Sequence, residues 1–348
     1  MKQWLPRQWY SNKRWLRLLH PLSMMYGALA ARRREAFRQG RRPVYRAMVP
    51  VVVVGNLTAG GTGKTPLTLA LCRHLQHQGW QPAIVSRGYG GRSARYPLLV
   101  TRDMAPATSG DEALLMARNT DAPVVVDPDR GRGVRYLESM HRPDVILCDD
   151  GLQHYALARD IEIVVVDGMR GFGNARLLPA GPLREPLTRL GEVDFVVVNQ
   201  LDEYRPLPDG VGQHSAMRLT ADRLINIRSG ENLPISDWLH KYGGGGVSVH
   251  AVAGIGNPAR FFDTLQGAGF AIIAHSFADH HQYRRSDISF ADALPVVMTE
   301  KDAVKCRDLA DEKHWYLTVQ AQLSPAFLQD FTRQLSALGA VRPHATGA

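Results

Sequence analysis

The sequence predicts an α/β fold: a P-loop NTPase-type, mostly parallel sheet with a second, smaller α/β domain. Three observations carry this. Short continuous runs rich in Val and Ile, at 51–54, 83–85, 124–126, 145–148, 161–166 and 195–198, read as strands buried on both faces. Helical stretches such as 66–77 and 113–118 separate some of them, as in a doubly wound sheet. After the run Gly243-Gly244-Gly245-Gly246 a second strand–helix series begins, with strands at 247–253, 270–274, 295–299 and 315–319. A helix through Phe261 and Leu265 lies within that series, and 325–338 reads as a closing helix.

The chain's 348 residues give room for one large domain or two ordinary ones, and 45% hydrophobic with 22% charged residues excludes a disordered chain. Cys72, Cys148 and Cys306 lie far apart, with neither metal-ligand spacing nor a disulfide framework, which suits a reducing cytosol. The net charge of +9 is uneven: residues 1–46 hold 12 Lys and Arg against the single acid Glu35, and the remainder is close to neutral. A near-neutral body weighs against a nucleic-acid-binding NTPase.

Within the basic segment, Trp4, Trp9, Tyr10, Trp15 and Tyr26 alternate with Arg7, Lys13, Arg14 and Arg17. Residues 18–31 follow, apolar apart from His20 and Ser23, and meet Arg32-Arg33-Arg34. That stretch is short of the roughly 20 apolar residues of a spanning helix, and it carries no secretory cleavage pattern. Aromatic rings and cations together favour the lipid–water boundary, so the segment reads as an interfacial anchor. A basic helix packed on the domain and a nucleic-acid arm are the alternatives. Pro21 bends the segment or starts a helix.

The strongest chemical signal is Val51-Val52-Val53-Val54-Gly55-Asn56-Leu57-Thr58-Ala59-Gly60-Gly61-Thr62-Gly63-Lys64-Thr65. A buried strand enters a glycine-rich turn whose amides can cradle phosphate, and the next helix points its N-terminus at the same anion. Residues Thr58, Ala59, Gly60, Gly61, Thr62, Gly63, Lys64 and Thr65 are the ATP-binding candidates. Lys64 would reach the β- and γ-phosphates, and the Thr65 hydroxyl would ligate Mg²⁺. Thr58 stands where the usual spacing has its first glycine. A tight strand–helix turn without ligand would leave Lys64-Thr65 unexplained.

The apolar run 145–148 ends in Asp149-Asp150, beyond a strand's carboxyl end, where open α/β sheets bind ligands. Asp149 is the first candidate for Mg²⁺, with Asp150 beside it; Asp167, at the end of 163–166, competes, and any one of these acids can be a turn or cap residue. Asp111, in Ser109-Gly110-Asp111-Glu112, heads a helix and fits a base that accepts a hydroxyl proton, although an acid there is also ordinary capping. The Gly/Arg stretches 86–92 and 129–133 suit an anionic substrate or are solvated loops. His280-His281 lacks further ligands for a metal site and reads as charge-orienting.

Together these motifs resemble the tetraacyldisaccharide 4′-kinase family, over nearly the whole chain. The resemblance rests on Gly55-Asn56-Leu57-Thr58-Ala59-Gly60-Gly61-Thr62-Gly63-Lys64-Thr65-Pro66, Ser86-Arg87-Gly88-Tyr89-Gly90, Gly110-Asp111-Glu112 and Asp149-Asp150-Gly151-Leu152-Gln153-His154. It continues with Leu178-Pro179-Ala180-Gly181-Pro182-Leu183-Arg184-Glu185-Pro186, Phe277-Ala278-Asp279-His280-His281 and Thr299-Glu300-Lys301-Asp302-Ala303-Val304-Lys305. Thr58 is usual in this family.

The resemblance implies transfer of the ATP γ-phosphate to the 4′-hydroxyl of an acylated glucosamine disaccharide 1-phosphate, at the cytoplasmic face of a bacterial inner membrane. Lys64, Asp111 and His280 would be catalytic, with Asp111 the base and His280 its partner from the second domain. Thr65, Asp149, Asp150 and Glu185 would organise Mg²⁺, and 299–302 resembles a nucleotide-base contact. Two α/β domains joined by a β-ribbon hinge are implied. The boundaries expected are a membrane-interface segment at 1–46, a P-loop core at 47–205, a linker at 206–217, a smaller domain at 218–322 and a closing helix and tail at 323–348. The substrate and the membrane's lipid surface are the implied partners, without nucleic acid or an obligate protein partner. A membrane-associated regulatory P-loop ATPase is the rival reading, but its extra lysine would fall at Ala59. A soluble small-molecule kinase would leave the Trp-rich basic segment without a role.

Overall fold

The computed structural model describes residues 8–11, 13–199 and 211–338. The first half of the sheet holds β1 (Val51–Gly55), β2 (Pro82–Ser86), β3 (Leu98–Leu99), β4 (Val124–Val126), β5 (Val145–Asp149), β6 (Ile161–Asp167) and β7 (Phe195–Asn199). Its helices are α1 (His20–Arg38), α2 (Lys64–His77), α3 (Asp111–Asn119) and α4 (Arg130–Met140). The second half holds β8 (Ser215–Asn226), β9 (Asn232–Pro234), β10 (Ser248–Ala253), β11 (Ala271–Ser276), β12 (Val296–Thr299) and β13 (His314–Leu323). Helices α5 (Ile235–Lys241), α6 (Pro258–Gly267) and α7 (Glu300–Cys306) belong to it, and α8 (Pro325–Ala337) follows.

Among the described residues all strands join one mixed sheet in the order β11-β10-β12-β13-β8-β7-β6-β1-β5-β2-β4-β3, with β9 beside β8. From β2 to β7 the ladders are parallel, and β1 lies between β5 and β6. Every residue of β1, β2, β5 and β6 is buried, because helices cover both faces. Val52 and Val54 pack with Leu67, Leu71 and Leu75 of α2, while Val51 and Val53 pack on the opposite face with Val134 and Leu137 of α4. The second half has its own core, in which Trp238, Phe261, Leu265 and Trp315 meet.

Long antiparallel strands β8 and β13 join the halves: β8 starts alongside β7 at Ser215 and runs on against β13 from Met217 to Asn226. Residues 206–210 of the expected linker lie outside the described residues, and 215–217 already belong to β8. Helix α8 returns to the first half, where Phe327 and Phe331 pack on Phe195.

Two readings of the sequence change. The stretch 129–133 is not a loop but the start of α4: Asp129 caps the helix by accepting from the Arg132 amide, Arg130 is buried while Arg132 stays exposed, and Gly133 lets the helix lie close against Val85. At the N-terminus, Pro21 starts α1. Trp9 does not face outward as an anchor residue; it is buried, its indole donating to the Pro179 carbonyl over 3.0 Å. No described helix is long and apolar enough to cross a membrane.

Candidate active site

β1 delivers the chain to a loop built on close approaches. A Cβ at Gly55 would stand 2.4 Å from Leu152 Cβ, so the 149–154 motif packs directly on the strand's end. Gly60 and Gly63 take φ values of 117° and 98°, which side chains disfavour. The loop's carbonyls are tied from outside. Asn56 Nδ2 donates to Gly60 O at 3.2 Å, Arg170 Nη2 to Gly61 O at 2.6 Å and Asn199 Nδ2 to Thr62 O at 2.8 Å. The first amides of α2 have no helical acceptor, so the loop and helix start together form an anion cradle. From the second half, the turn at 254–258 rests on this loop: a Cβ at Gly256 would be 2.8 Å from Gly61 N.

The strand-end acids face different ways. Asp149 is 1% exposed and accepts from Thr65 Oγ1 at 3.3 Å and Thr68 Oγ1 at 3.0 Å. Burial, then the charges of Glu112 and Asp150, push its carboxyl up to about 7. Asp150, in a left-handed turn at φ 50°, lies 3.6 Å from Lys64 Nζ and 3.3 Å from Arg184 Nη1. Burial pushes its carboxyl up, but Lys64, Arg184 and Arg130 outweigh that and hold it below the usual range. Arg130, buried, also donates to the Asp150 carbonyl at 3.3 Å.

Glu185 is buried, accepts from the Tyr155 hydroxyl and lies 3.7 Å from Arg189 Nε, with Oε2 lacking a hydrogen-bond partner. Among the described residues no three His, Cys or acidic side chains stand close enough to hold a cation by themselves. The Thr65 hydroxyl and the Asp149 carboxylate nevertheless fit Mg²⁺, which uses one or two carboxylates and takes its other ligands from phosphates and water. A cation there would also relieve the repulsion that raises Asp149.

Asp111 heads α3 after Gly110, whose φ is 87°. The loop at 88–91 packs on it so tightly that a Cβ at Gly91 would be 2.3 Å from Gly110 N. His280, 169 residues away and from the second half, places Nδ1 3.1 Å from both Asp111 oxygens. The Tyr89 ring lies 4.7 Å from the His280 ring. Burial raises the Asp111 carboxyl, but the His280 hydrogen bond and the charges of Lys301, His280 and Lys305 hold it below the usual range.

The other candidates are engaged elsewhere. Asp167 pairs with Arg170 and with Arg260, each at 2.9 Å. His281 Nε2 lies 3.0 Å from Asp287. Asp302 accepts from the Gly254 amide at 2.8 Å and from the Thr299 hydroxyl. Sequence reasoning gave 299–302 as a nucleotide-base contact and missed that Lys301 and Lys305 stand beside the Asp111–His280 pair; their four-residue spacing on α7 was the available signal.

A model of the tetraacyldisaccharide-1-P 4′-kinase family matches residues 15–336. The chain belongs to this family. It is 49% identical over 335 residues to the tetraacyldisaccharide 4′-kinase of Pseudomonas entomophila, covering 96% of each chain. With the same-named protein of Pseudomonas aeruginosa it shares 47% identity over 330 residues, 95% of this chain and 96% of that one. The structure is similar to the "apo" form of Aquifex aeolicus LpxK in complex with ATP: TM-score 0.75, 28% identity, covering 92% of this chain and 99% of that one. The matched span includes the P-loop, both strand-end acids, Asp111 and His280.

Proposed function

We infer that this protein is an ATP-dependent kinase that phosphorylates the 4′-hydroxyl of tetraacyldisaccharide 1-phosphate in lipid A biosynthesis. The observation that carries the reading is that the second half meets the first at two places, completing the Asp111–His280 pair and resting its 254–258 turn on the P-loop. Residues 58–65 bind the ATP phosphates, and Lys64 neutralises the β- and γ-oxygens. Thr65 and Asp149 would hold Mg²⁺, which would supply charge neutralisation at the phosphates; Glu185 is the further candidate, buried against Tyr155 and Arg189. Asp150 aims Lys64 through their 3.6 Å pair.

Asp111 accepts the proton of the attacking hydroxyl as its oxygen forms a bond to the γ-phosphorus and the bridge to ADP breaks. His280 donates Nδ1–H to Asp111, which fixes the carboxylate's direction. The sheet divides into a P-loop domain and a smaller domain, with β8 and β13 as the hinge ribbon. Closure seats the 254–258 turn on the phosphate loop and excludes water, the competing acceptor.

The enzyme works at the cytoplasmic face of the inner membrane through α1. One face of that helix packs beside the site: Ser23 Oγ donates to the Leu177 carbonyl at 2.8 Å and the Tyr26 hydroxyl to the Arg184 carbonyl at 3.1 Å. The outer face leaves Leu22 49%, Met25 58% and Leu29 60% exposed, at helical spacing, and Leu18, just before the helix, is 81% exposed. Arg32 and Arg33, also exposed, continue it with charges suited to anionic headgroups. This surface brings a lipid-borne sugar to the cleft at headgroup depth. Incubation with γ-labelled ATP and tetraacyldisaccharide 1-phosphate in detergent micelles tests the reading. Label on the lipid, lost in Lys64→Ala, supports it; ATP hydrolysis without labelled lipid refutes it.

A further inference from the structure

The base sits in an unusually acidic place. Asp111 is followed by Glu112, and Asp149 is pushed up by burial and then by the charges of Glu112 and Asp150. A triphosphate entering the cleft adds more negative charge, and all of it favours a protonated, useless Asp111. Something must oppose this.

The positive charge comes from α7 of the second half. Lys301 and Lys305 are four residues apart and so lie on one face of that helix. Lys305 Nζ is 3.8 Å from Asp111 Oδ2 and 2.7 Å from Asp302 Oδ1, and its side chain is only 4% exposed. Its ammonium makes no well-directed hydrogen bond among the described residues and stands as a buried charge between the Asp302 and Asp111 carboxylates. Lys301 Nζ lies 2.9 Å from Glu112 Oε1, 3.1 Å from Asp279 Oδ1 and 3.5 Å from His280 Nε2. An ammonium can only donate. Facing His280 Nε2, it therefore favours the tautomer with the proton on Nδ1, where Asp111 accepts it.

We propose that Lys301 and Lys305 are positioning residues that keep Asp111 ionised and His280 in the Nδ1–H tautomer, so that the base is ready only when the second half is docked. The inference rests on the reading of Asp111 as base. The charged and titratable groups facing Asp111 are His280, Lys301 and Lys305 from the second half and Glu112 from its own helix. Asp279 Oδ1 also faces the imidazole, 3.7 Å from His280 Nε2 and farther off than Lys301 Nζ, while Asp302 acts through Lys305, whose ammonium lies 5.1 Å from the Tyr283 ring. Neither lysine touches the substrate hydroxyl; both act through the Asp111–His280 pair.

The test is the pH profile of kcat/KM for phosphate transfer by the full chain in detergent micelles, for the wild type, Lys305→Gln, Lys301→Gln, Lys305→Arg and Asp111→Asn. Loss of either ammonium raises the Asp111 carboxyl, so the acid limb should move up by about one pH unit. Lys305→Arg keeps the charge and should return the limb toward the wild-type position. A lower rate with an unmoved acid limb would overturn the proposal, since a purely structural lysine changes stability and not the limb. If Lys305→Gln does not fold, Lys301→Gln, nearer the interface edge, carries the same test. Asp111→Asn separates the two readings: undiminished transfer there removes the base itself. Its loss together with unmoved limbs in the lysine variants removes only the lysines' role.

Discussion

Asp149→Asn gives the account its most quantitative test. The wild-type carboxylate is fully enclosed, and its ionisation moves from an ordinary 3.8 to about 7 through burial and the nearby charges of Glu112 and Asp150. At about 1.4 kcal/mol per pH unit, ionising it in the folded, metal-free protein costs about 4 kcal/mol. The direction follows from the raised folded value. Below 3.8 the group is protonated in both states and its contribution to stability is intact. That contribution declines as pH rises toward 7 and is fully lost above it. Asparagine keeps the shape and the contact with Thr68 but has no charge to bury. In EDTA, then, Asp149→Asn should match the wild type near pH 4, exceed it increasingly through pH 7, and unfold several degrees higher at pH 8. With Mg²⁺ and ATP present the order should reverse, because the wild type gains binding energy that the variant cannot. Thermal unfolding across pH, with and without Mg²⁺ and ATP, reads both effects. A variant no more stable than the wild type at pH 8 in EDTA would refute the assignment of Asp149 as an acid held for a cation.

Further outcomes follow from the same geometry. Asp111→Ala should lower kcat by about 10²–10⁴-fold with little change in the KM for ATP, measured by label transfer. Gly91→Ala would place a Cβ 2.3 Å from Gly110 N. It should displace the Asp111 loop and lower kcat by at least about 10-fold while ATP binding, followed by calorimetry, persists. Leu22→Ser/Leu29→Ser on the outer face of α1 should weaken partitioning onto phosphatidylglycerol vesicles by at least about 10-fold without changing ATP affinity. Equal loss of both would make that face structural.

How much of this was legible depends on where the physics was local. The P-loop half announced itself because β1, β5 and β6 are buried on both faces and so read as unbroken apolar runs. β8 left no such trace: it is a half-exposed ribbon strand carrying Arg218, Thr220, Asp222 and Arg223, and tertiary pairing with β13 makes it a strand. α4 was hidden by Gly131 and Gly133, poor helix formers retained because Tyr45 and Val85 approach so closely. The Gly-rich loop at 86–92 gave no hint that Gly91 lies on Gly110, since contacts between separate loops have no local period.

In the site, residues of one motif were readable and partnerships between motifs were not. Lys64 and Thr65 follow from loop spacing alone. Asp111 looked like an ordinary cap, and nothing local links it to a histidine 169 residues on; that link came from family resemblance. Trp9 misled because an indole satisfies a lipid interface or a buried carbonyl equally well.

The central claim is that Asp111 and His280 act as one unit assembled across the two halves. The most direct measurement is a double-mutant cycle on kcat for lipid phosphorylation with Asp111→Asn, His280→Ala and the combination. If the pair is a unit, the double variant should be about as slow as the slower single variant, with a coupling of at least about 1 kcal/mol. Losses that simply multiply would mean the two residues act independently, and the account of the site would be wrong.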